Sequence, residues 1–171
     1  MSRRTVSEIN SLSCSEFVRL FGGVFEHSPW IAEMIWPKRP FDSVEQLHRA
    51  LCDTVKMSGP EKQLGLLRAH PDLVGRLAQE NQLTKESAHE QASAGLDRLT
   101  PGEMDQFQRN NAAYHERFGF PFIICARLNK KEAILTAFPQ RLDHSREQEI
   151  KTALEEVYKI AELRLHDLIA I

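Results

Sequence analysis

The sequence has few of the residues that mark specialised classes of protein. Its 171 residues include only 8 glycines, 8 prolines and 3 cysteines. The cysteines, Cys14, Cys52 and Cys125, are odd in number and form no Cys-x-x-Cys pair. This pattern does not indicate a disulfide framework, so we expect the reducing environment of the cytosol. There is also no low-complexity stretch and no internal repeat.

The chain shows neither an excess of one charge nor a long apolar run. Its net charge is −2 and its pI is about 6.4, so it lacks the basic character of nucleic-acid-binding proteins. No apolar run reaches the roughly 20 residues that span a bilayer. The opening MSRRTVSEIN lacks the apolar middle of a signal peptide, and the final HDLIAI is no peroxisomal Ser-Lys-Leu signal. We therefore expect a cytoplasmic protein without nucleic-acid or membrane partners.

Helix signals dominate what is present. Hydrophobic residues make up 42% and charged residues 27%, which is typical of a globular protein, and no linker interrupts a single domain over residues 1–171. Helix starts are predicted at Ser28-Pro29, Ser43, Thr100 and Ser145. The run from Phe120 to Cys125 is the one β-like stretch. The prediction is an all-α bundle of about eight helices, with a short extended connector near residues 120–126.

His70-Pro71-Asp72 interrupts an apolar helical pattern. Because proline suits the first position of a helix, the sequence predicts that one helix ends near Arg68 and another begins at Pro71. His70 would then precede free backbone amides at a positive helix end, which disfavours its protonated form. A neutral imidazole at that position could accept a proton. The alternative is a structural histidine in a turn.

Ser87, Glu90 and Gln91 are spaced to share one face of a helix. A hydroxyl, a carboxylate and an amide on one face could bind a substrate rich in N–H and C=O groups. The alternative interpretation makes Ser87 the N-cap and Glu90 its capping-box partner. Thr84 is an equally good N-cap and would leave both residues inside the helix.

Arg127 follows the apolar run from Phe120, so we expect its side-chain stem to be held in place. A fixed guanidinium can bind a carboxylate through two parallel hydrogen bonds, although a surface or structurally paired arginine is the alternative. The seven histidines form no metal-binding motif, and neither a nucleophile elbow nor a phosphate-binding glycine loop is present. Cys125 lies in an apolar run, where burial raises the pKa of a thiol and makes it a poor nucleophile.

Together, four stretches closely resemble one family, the 2-oxo-4-hydroxy-4-carboxy-5-ureidoimidazoline (OHCU) decarboxylases, which catalyse the third step of urate breakdown to (S)-allantoin. The stretches are FGGVFEHSPW, LLRAHPDLVGRLA, LTKESAHEQASAGLDRL and FGFPFIICARLNKKEAIL. They follow the family's order between about residues 17 and 138. The combination of A-H-P-D-L, S-x-x-E-Q-x-x-A-G-L and F-I-I-C-A-R is specific, and no key position departs from it.

The resemblance implies an all-helical enzyme that needs neither metal nor organic cofactor and acts on a small ureidoimidazoline carboxylate. A homodimer is compatible with the resemblance, since the family is often dimeric. The catalytic histidine and glutamate would be His70 and Glu90. The substrate-binding positions would be the side chains of Pro71, Ser87, Gln91 and Arg127 and the main chain near Ile123, Ile124 and Cys125.

Two other interpretations remain open at this point. One is a non-catalytic α-helical binding module, in which His70, Glu90 and Arg127 are structural. The other is a cofactor-free lyase or hydrolase that acts on a related ureido acid. A stereospecific product would separate the proposed enzyme from the binding module, and a substrate panel would separate the two enzymes.

Overall fold

The computed structural model describes residues 3–170, except for the side chains of Leu77 and Gln79. Within this range there is no strand, and one isolated parallel bridge joins Arg4 and Ile169. The prediction of an all-α fold is therefore confirmed. The helices are α1 (Val6–Asn10), α2 (Cys14–Phe21), α3 (Trp30–Ile35), α4 (Val44–Met57), α5 (Pro60–Arg68), α6 (Arg76–Gln79), α7 (Lys85–Ser93), α8 (Pro101–Phe118), α9 (Lys131–Leu142) and α10 (Arg146–Leu168).

Most predicted helix starts are correct because the interactions that set them are local. Thr100 forms a full capping box with Glu103 at the start of α8, and Gly119 ends that helix in the left-handed conformation, with φ 77°. Ser43 caps α4 by accepting a hydrogen bond from the Gln46 backbone N–H. Each of these interactions spans four residues or fewer, so the sequence alone carries the signal.

Two local predictions differ from the structure in detail. The predicted helix Trp30–Ile35 is correct, but Pro29 is its N-cap residue, and the Ser28 hydroxyl donates to the Glu26 carbonyl oxygen at 2.9 Å instead. The apolar positions Ile134, Leu135, Phe138 and Leu142 predict a helix that is kinked or ended at Pro139. Helix α9 continues through Pro139 to Leu142, so the prediction that it ends at Pro139 is wrong.

The described chain forms two compact units. The first contains the chain up to Ala69 and the segment that begins at Tyr158, so it includes α1 to α5 and the end of α10. In this unit Arg39 donates to the carbonyl oxygens of Asn10 (2.8 Å), Leu12 (2.5 Å) and Trp36 (2.8 Å). The arginine thereby fixes the segment between α1 and α2.

The second unit runs from His70 to Val157 and contains every predicted site residue. Its core is aromatic, formed by Phe107, Tyr114, Phe118, Phe120, Phe122 and Phe138, each no more than 2% exposed. Phe122 stacks on Phe138 with ring centroids 3.8 Å apart. Residues 121–125 form neither helix nor strand, and every residue from 120 to 125 except the half-buried Ile124 is buried, in agreement with the predicted connector. The single-domain organisation stays a prediction.

No helix within residues 3–170 has both the length and the hydropathy needed to cross a membrane.

Candidate active site

Residues 70–75, called here the His70 turn, follow α5 and Ala69 without forming a helix. The predicted helix start at Pro71 is therefore wrong, and α6 begins only at Arg76. Val74 shows why a helix cannot form, because its φ of 55° is left-handed. No helix begins beside His70, so the expected effect of a helix N-terminus on the charge of this histidine does not apply. His70 itself is buried, with 9% of its surface exposed.

Side chains from other helices satisfy the backbone of the His70 turn. The Gln91 amide makes two bonds to it: Nε2 donates to the Asp72 carbonyl oxygen (3.3 Å) and Oε1 accepts from the Val74 N–H (3.1 Å). Asn111 Nδ2 on α8 donates to the Leu73 carbonyl oxygen at 2.8 Å. Groups that would pair within a helix are paired with distant side chains instead.

Helix α7 carries its polar residues inward. Ser87, Glu90 and Gln91 are 5%, 8% and 6% exposed, so they share one buried face as predicted. Thr84 is the N-cap, accepting from the Ser87 N–H at 3.2 Å, so the alternative with Ser87 as the cap is wrong. Ala88 is exposed on the same helix. To bury polar side chains while an alanine of the same helix stays exposed costs free energy unless the polar groups are hydrogen-bonded. A buried polar face of this kind therefore indicates that its side chains have a functional role.

Arg127 lies in the 3₁₀ turn Ala126–Leu128, directly after the connector, and is half-buried. Helix α7 packs against this turn. Two further hydrogen bonds join the same segments, from the Lys131 N–H to the Ala94 carbonyl oxygen (3.0 Å) and from Lys130 Nζ to that of Ser93 (2.8 Å). The arginine is therefore placed beside the helix that carries Ser87 and Glu90.

The pKa of the Cys125 thiol in the connector is affected by Glu90 of α7. Burial raises the pKa of this thiol, and the negative charges of Glu156 and Glu90 raise it further. The thiol is therefore poorly ionised, in agreement with the prediction that it is not a nucleophile. A charge effect of Glu90 on Cys125 requires that the carboxylate lies near the connector.

Helix α7 is thus the common neighbour of the other two segments. The His70 turn is bonded to it through Gln91, and the turn with Arg127 packs against it. A cleft of about 410 Å³ beside α7 includes Gln91 but none of His70, Glu90 or Arg127 in its lining. Its walls include Val74, Leu83, Ala88, Ala92, Leu96 and Met104, so the cleft is mainly apolar.

The residues around α7 offer an imidazole, a carboxylate, a hydroxyl and a guanidinium, a set suited to proton transfer and to binding an anion. In the part of the chain that is described, no group of three or more His, Cys, Asp or Glu side chains could hold a metal ion.

Four residues that hold the His70 turn and the connector were not predicted from the sequence: Asn111, Arg141, Glu149 and Glu156. A signal was present for the two glutamates. Helix α10 has a buried apolar face that includes Ala153, and Glu149 and Glu156 lie four residues before and three residues after Ala153 on that same face. Glu149 has no exposed surface. To bury an acidic side chain on an apolar helix face costs free energy unless the acid is paired. Such an acid in a sequence therefore predicts a buried polar network.

Similarity to known proteins extends over nearly the whole chain. A family model described as OHCU decarboxylase matches residues 10–166. The 2-oxo-4-hydroxy-4-carboxy-5-ureidoimidazoline decarboxylase of Haloferax volcanii is 47% identical over 165 residues, covering 96% of this chain and 96% of that protein. Its counterpart in Halalkalicoccus jeotgali is 46% identical over 168 residues, or 98% and 93% of the two chains. A crystal structure of (S)-allantoin synthase matches with a TM-score of 0.80 at 33% identity, covering 98% of this chain and 54% of that one.

Proposed function

Since the chain belongs to the OHCU decarboxylase family, we propose that it converts 2-oxo-4-hydroxy-4-carboxy-5-ureidoimidazoline to (S)-allantoin in urate degradation. The observation that carries this proposal is near-full-length identity of 46–47% to proteins named for that reaction. The site geometry supports it independently, because α7 buries a carboxylate beside a turn that carries a guanidinium.

The proposed reaction needs no cofactor because the substrate supplies its own electron sink. Its carboxylate and hydroxyl share one ring carbon next to a C=N bond. When the bond to the carboxylate breaks, CO₂ leaves and the electron pair forms a ring C=C bond, while the C=N electrons take a proton at nitrogen. Loss of the hydroxyl proton then restores a carbonyl, and a proton added to the neighbouring carbon completes the product.

His70 is the proposed base for the hydroxyl proton. Its burial removes competing water, and the bonds of Gln91 and Asn111 to the following residues restrict its position. Glu90 would accept N–H bonds from the ring or the ureido group and orient the imidazole. General acid–base catalysis of this kind accelerates a reaction by roughly 10²- to 10⁴-fold. Positioning and electrostatics supply the remainder.

The other predicted residues would bind the substrate. Arg127 would hold anionic or carbonyl oxygen, and Ser87 would hold the ureido arm. Pro71 would pack against the ring, and the main chain of Ile123, Ile124 and Cys125 would line the pocket. For Gln91 we modify the prediction, because both polar atoms of its amide already bond the His70 turn. Its main proposed role is to hold that turn.

Three broader features belong to the same proposal: one functional domain over residues 1–171, a homodimer and a cytoplasmic location. Light scattering after size-exclusion chromatography tests the dimer, since a monomer has a mass of 19.6 kDa. A mass at the monomer value across the working concentration range would contradict the dimer.

The experiment that tests the function supplies fresh substrate, made from urate by the two preceding enzymes. Product is followed by circular dichroism, because an enzyme forms one allantoin enantiomer whereas spontaneous decay gives a racemate. We expect rapid formation of the (S) signal with wild-type protein. A rate and optical signal equal to those of spontaneous decay would refute the proposal and favour a binding module.

Three variants test the residue roles. H70A is expected to keep its far-UV circular dichroism and lose most turnover, so near-wild-type formation of (S)-allantoin would contradict its role as base. E90Q keeps the shape of the side chain and removes its charge, and we expect a lower kcat. R127K keeps the charge and loses the planar fork, so an unchanged KM would contradict a two-bond contact to the substrate.

A further inference from the structure

The backbone of the connector is held on both sides of Ile124. Before it, the carbonyl oxygen of Ile123 accepts a hydrogen bond from Arg141 Nη1 on α9. After it, the Cys125 N–H donates to Glu156 Oε2 on α10 at 2.8 Å. The Cys125 carbonyl oxygen accepts from the N–H of Leu128 and from Asn129 Nδ2, each at 3.0 Å. Both neighbours of Ile124 are therefore fixed by groups of the protein.

Ile124 itself differs from its neighbours. Across residues 3–170, nothing bonds its N–H or its carbonyl oxygen, and its side chain is half-buried between Ile123 (3% exposed) and Cys125 (1% exposed). Backbone groups in such a buried segment are nearly always paired with protein, water or a ligand. This peptide is therefore available to a bound molecule.

Arg141 is held more firmly than its bond to Ile123 requires. It is 6% exposed, and its Nε donates to Glu149 Oε1 at 2.5 Å. Its guanidinium lies 4.2 Å from the ring centroid of Phe122 in the connector itself. Glu149 also accepts from the Tyr114 hydroxyl at 2.6 Å and bonds His144 Nδ1 at 2.8 Å. A buried ion pair adds little net stability over apolar packing, so this arrangement favours a requirement for fixed geometry.

We propose that Arg141, fixed by Glu149, and Glu156 are positioning residues that orient the Ile124 peptide toward the substrate. This inference rests on the proposed function, because the ligand of that peptide is the carboxylate-bearing ring of the decarboxylation substrate. The N–H of Ile124 would bind an oxygen of the substrate, and its carbonyl oxygen would bind an N–H of the ring or the ureido arm. Neither Arg141 nor Glu156 touches the substrate in this arrangement.

The test separates positioning from general stability with paired variants. E156Q keeps an oxygen that can accept from the Cys125 N–H, whereas E156A removes it. R141K keeps a positive charge for Glu149 but loses the simultaneous bond to the Ile123 carbonyl. R39K is the matched control, because Arg39 also donates to backbone carbonyl oxygens but lies between α3 and α4 in the first unit.

Two measurements are made on each full-length variant. Amide hydrogen exchange of residues 120–128 reports the connector without any substrate. Steady-state kinetics with fresh OHCU reports its effect on the reaction. For E156A and R141K we expect exchange of the Cys125 amide to be at least about 10-fold faster and kcat/KM to fall about 10-fold or more, with changes in both KM and kcat. E156Q should remain within about threefold of wild type in both measurements.

The control and the paired variants decide the outcome. R39K is expected to lower the urea midpoint without changing exchange in residues 120–128 or the kcat/KM of the folded protein. Equal losses in E156Q and E156A would show that the Glu156 charge matters rather than its bond to the backbone, and would overturn the proposal. Unchanged exchange and kinetics in both E156A and R141K would overturn it as well. If wild-type protein fails to form (S)-allantoin, the proposed function fails, while the exchange measurement still decides whether these residues hold the connector.

Discussion

Replacement of Gln91 by leucine distinguishes two roles for this residue. The family resemblance predicts a side chain that binds substrate, whereas the structure bonds its amide to the His70 turn. Leucine has a similar volume but can neither donate nor accept. Q91L would therefore leave the Val74 N–H and the Asp72 carbonyl oxygen without their partner, while α7 itself could still form.

The expected loss of stability follows from the hydrogen bonds. Val74 is 4% exposed, and a buried N–H without a partner costs about 1–3 kcal/mol. We therefore expect the free energy of unfolding of Q91L to be about 2 kcal/mol lower than that of wild type. This change lowers the urea midpoint by about 1 M for an m-value near 2 kcal/mol/M. Val74 is also held at a φ of 55°, which is strained for a β-branched residue. Without Gln91 the turn can relax, so the neighbouring His70 moves and kcat falls.

N111L is the matched variant, because Asn111 bonds the Leu73 carbonyl of the same turn from α8. It was not predicted to bind substrate. If Gln91 acts through the turn, both variants lower kcat by at least about 10-fold, and Q91L also lowers the urea midpoint. A Q91L variant with a wild-type urea midpoint and a raised KM, beside an N111L variant with normal kcat, would refute this reasoning and restore Gln91 as a substrate ligand.

Four further predictions concern helix ends and thiols. G119A should destabilise the protein by about 1–2 kcal/mol in urea unfolding, because alanine is strained at a φ of 77°, and an unchanged midpoint would contradict this. T84A should cost about 1 kcal/mol by removing the N-cap of α7, whereas an effect confined to S87A would favour Ser87 as the cap. A thiol reagent should modify only the exposed Cys14 in the native protein and all three cysteines in urea. Burial raises the pKa of the Cys52 thiol to about 12. The stability that the neutral thiol contributes is therefore complete below about pH 9 and is lost as the pH rises toward 12. The free energy of unfolding of C52A should accordingly fall less than that of wild type between about pH 8 and pH 11.

The helix starts could be predicted from the sequence because a cap joins residues three positions apart. Thr100 with Glu103 and Ser145 with Gln148 form capping boxes as expected. The shared face of Ser87 and Glu90 follows in the same way from the helical repeat. The family resemblance drew on these same local motifs, so it identified the family without any knowledge of how the segments pack.

The His70 turn could not be predicted in this way. Its backbone partners, Gln91 and Asn111, lie 17 and 38 residues away from the groups they bind. The local pattern favoured a helix at Pro71, and these distant hydrogen bonds together with the left-handed Val74 determine a different conformation. Likewise, Glu156 is 31 residues from the Cys125 amide that it accepts from.

The amino-acid order alone therefore determined the fold class, most helix bounds, the family and the residue types that could carry the chemistry, because each depends on interactions within about one helical turn. Only the tertiary structure decided that the His70 segment is not a helix, that the Gln91 amide bonds its backbone, and that Arg141 and Glu156 hold the peptides beside Ile124. Those features arise where buried polar groups must find partners, and the partner that satisfies each one is set by packing between distant segments.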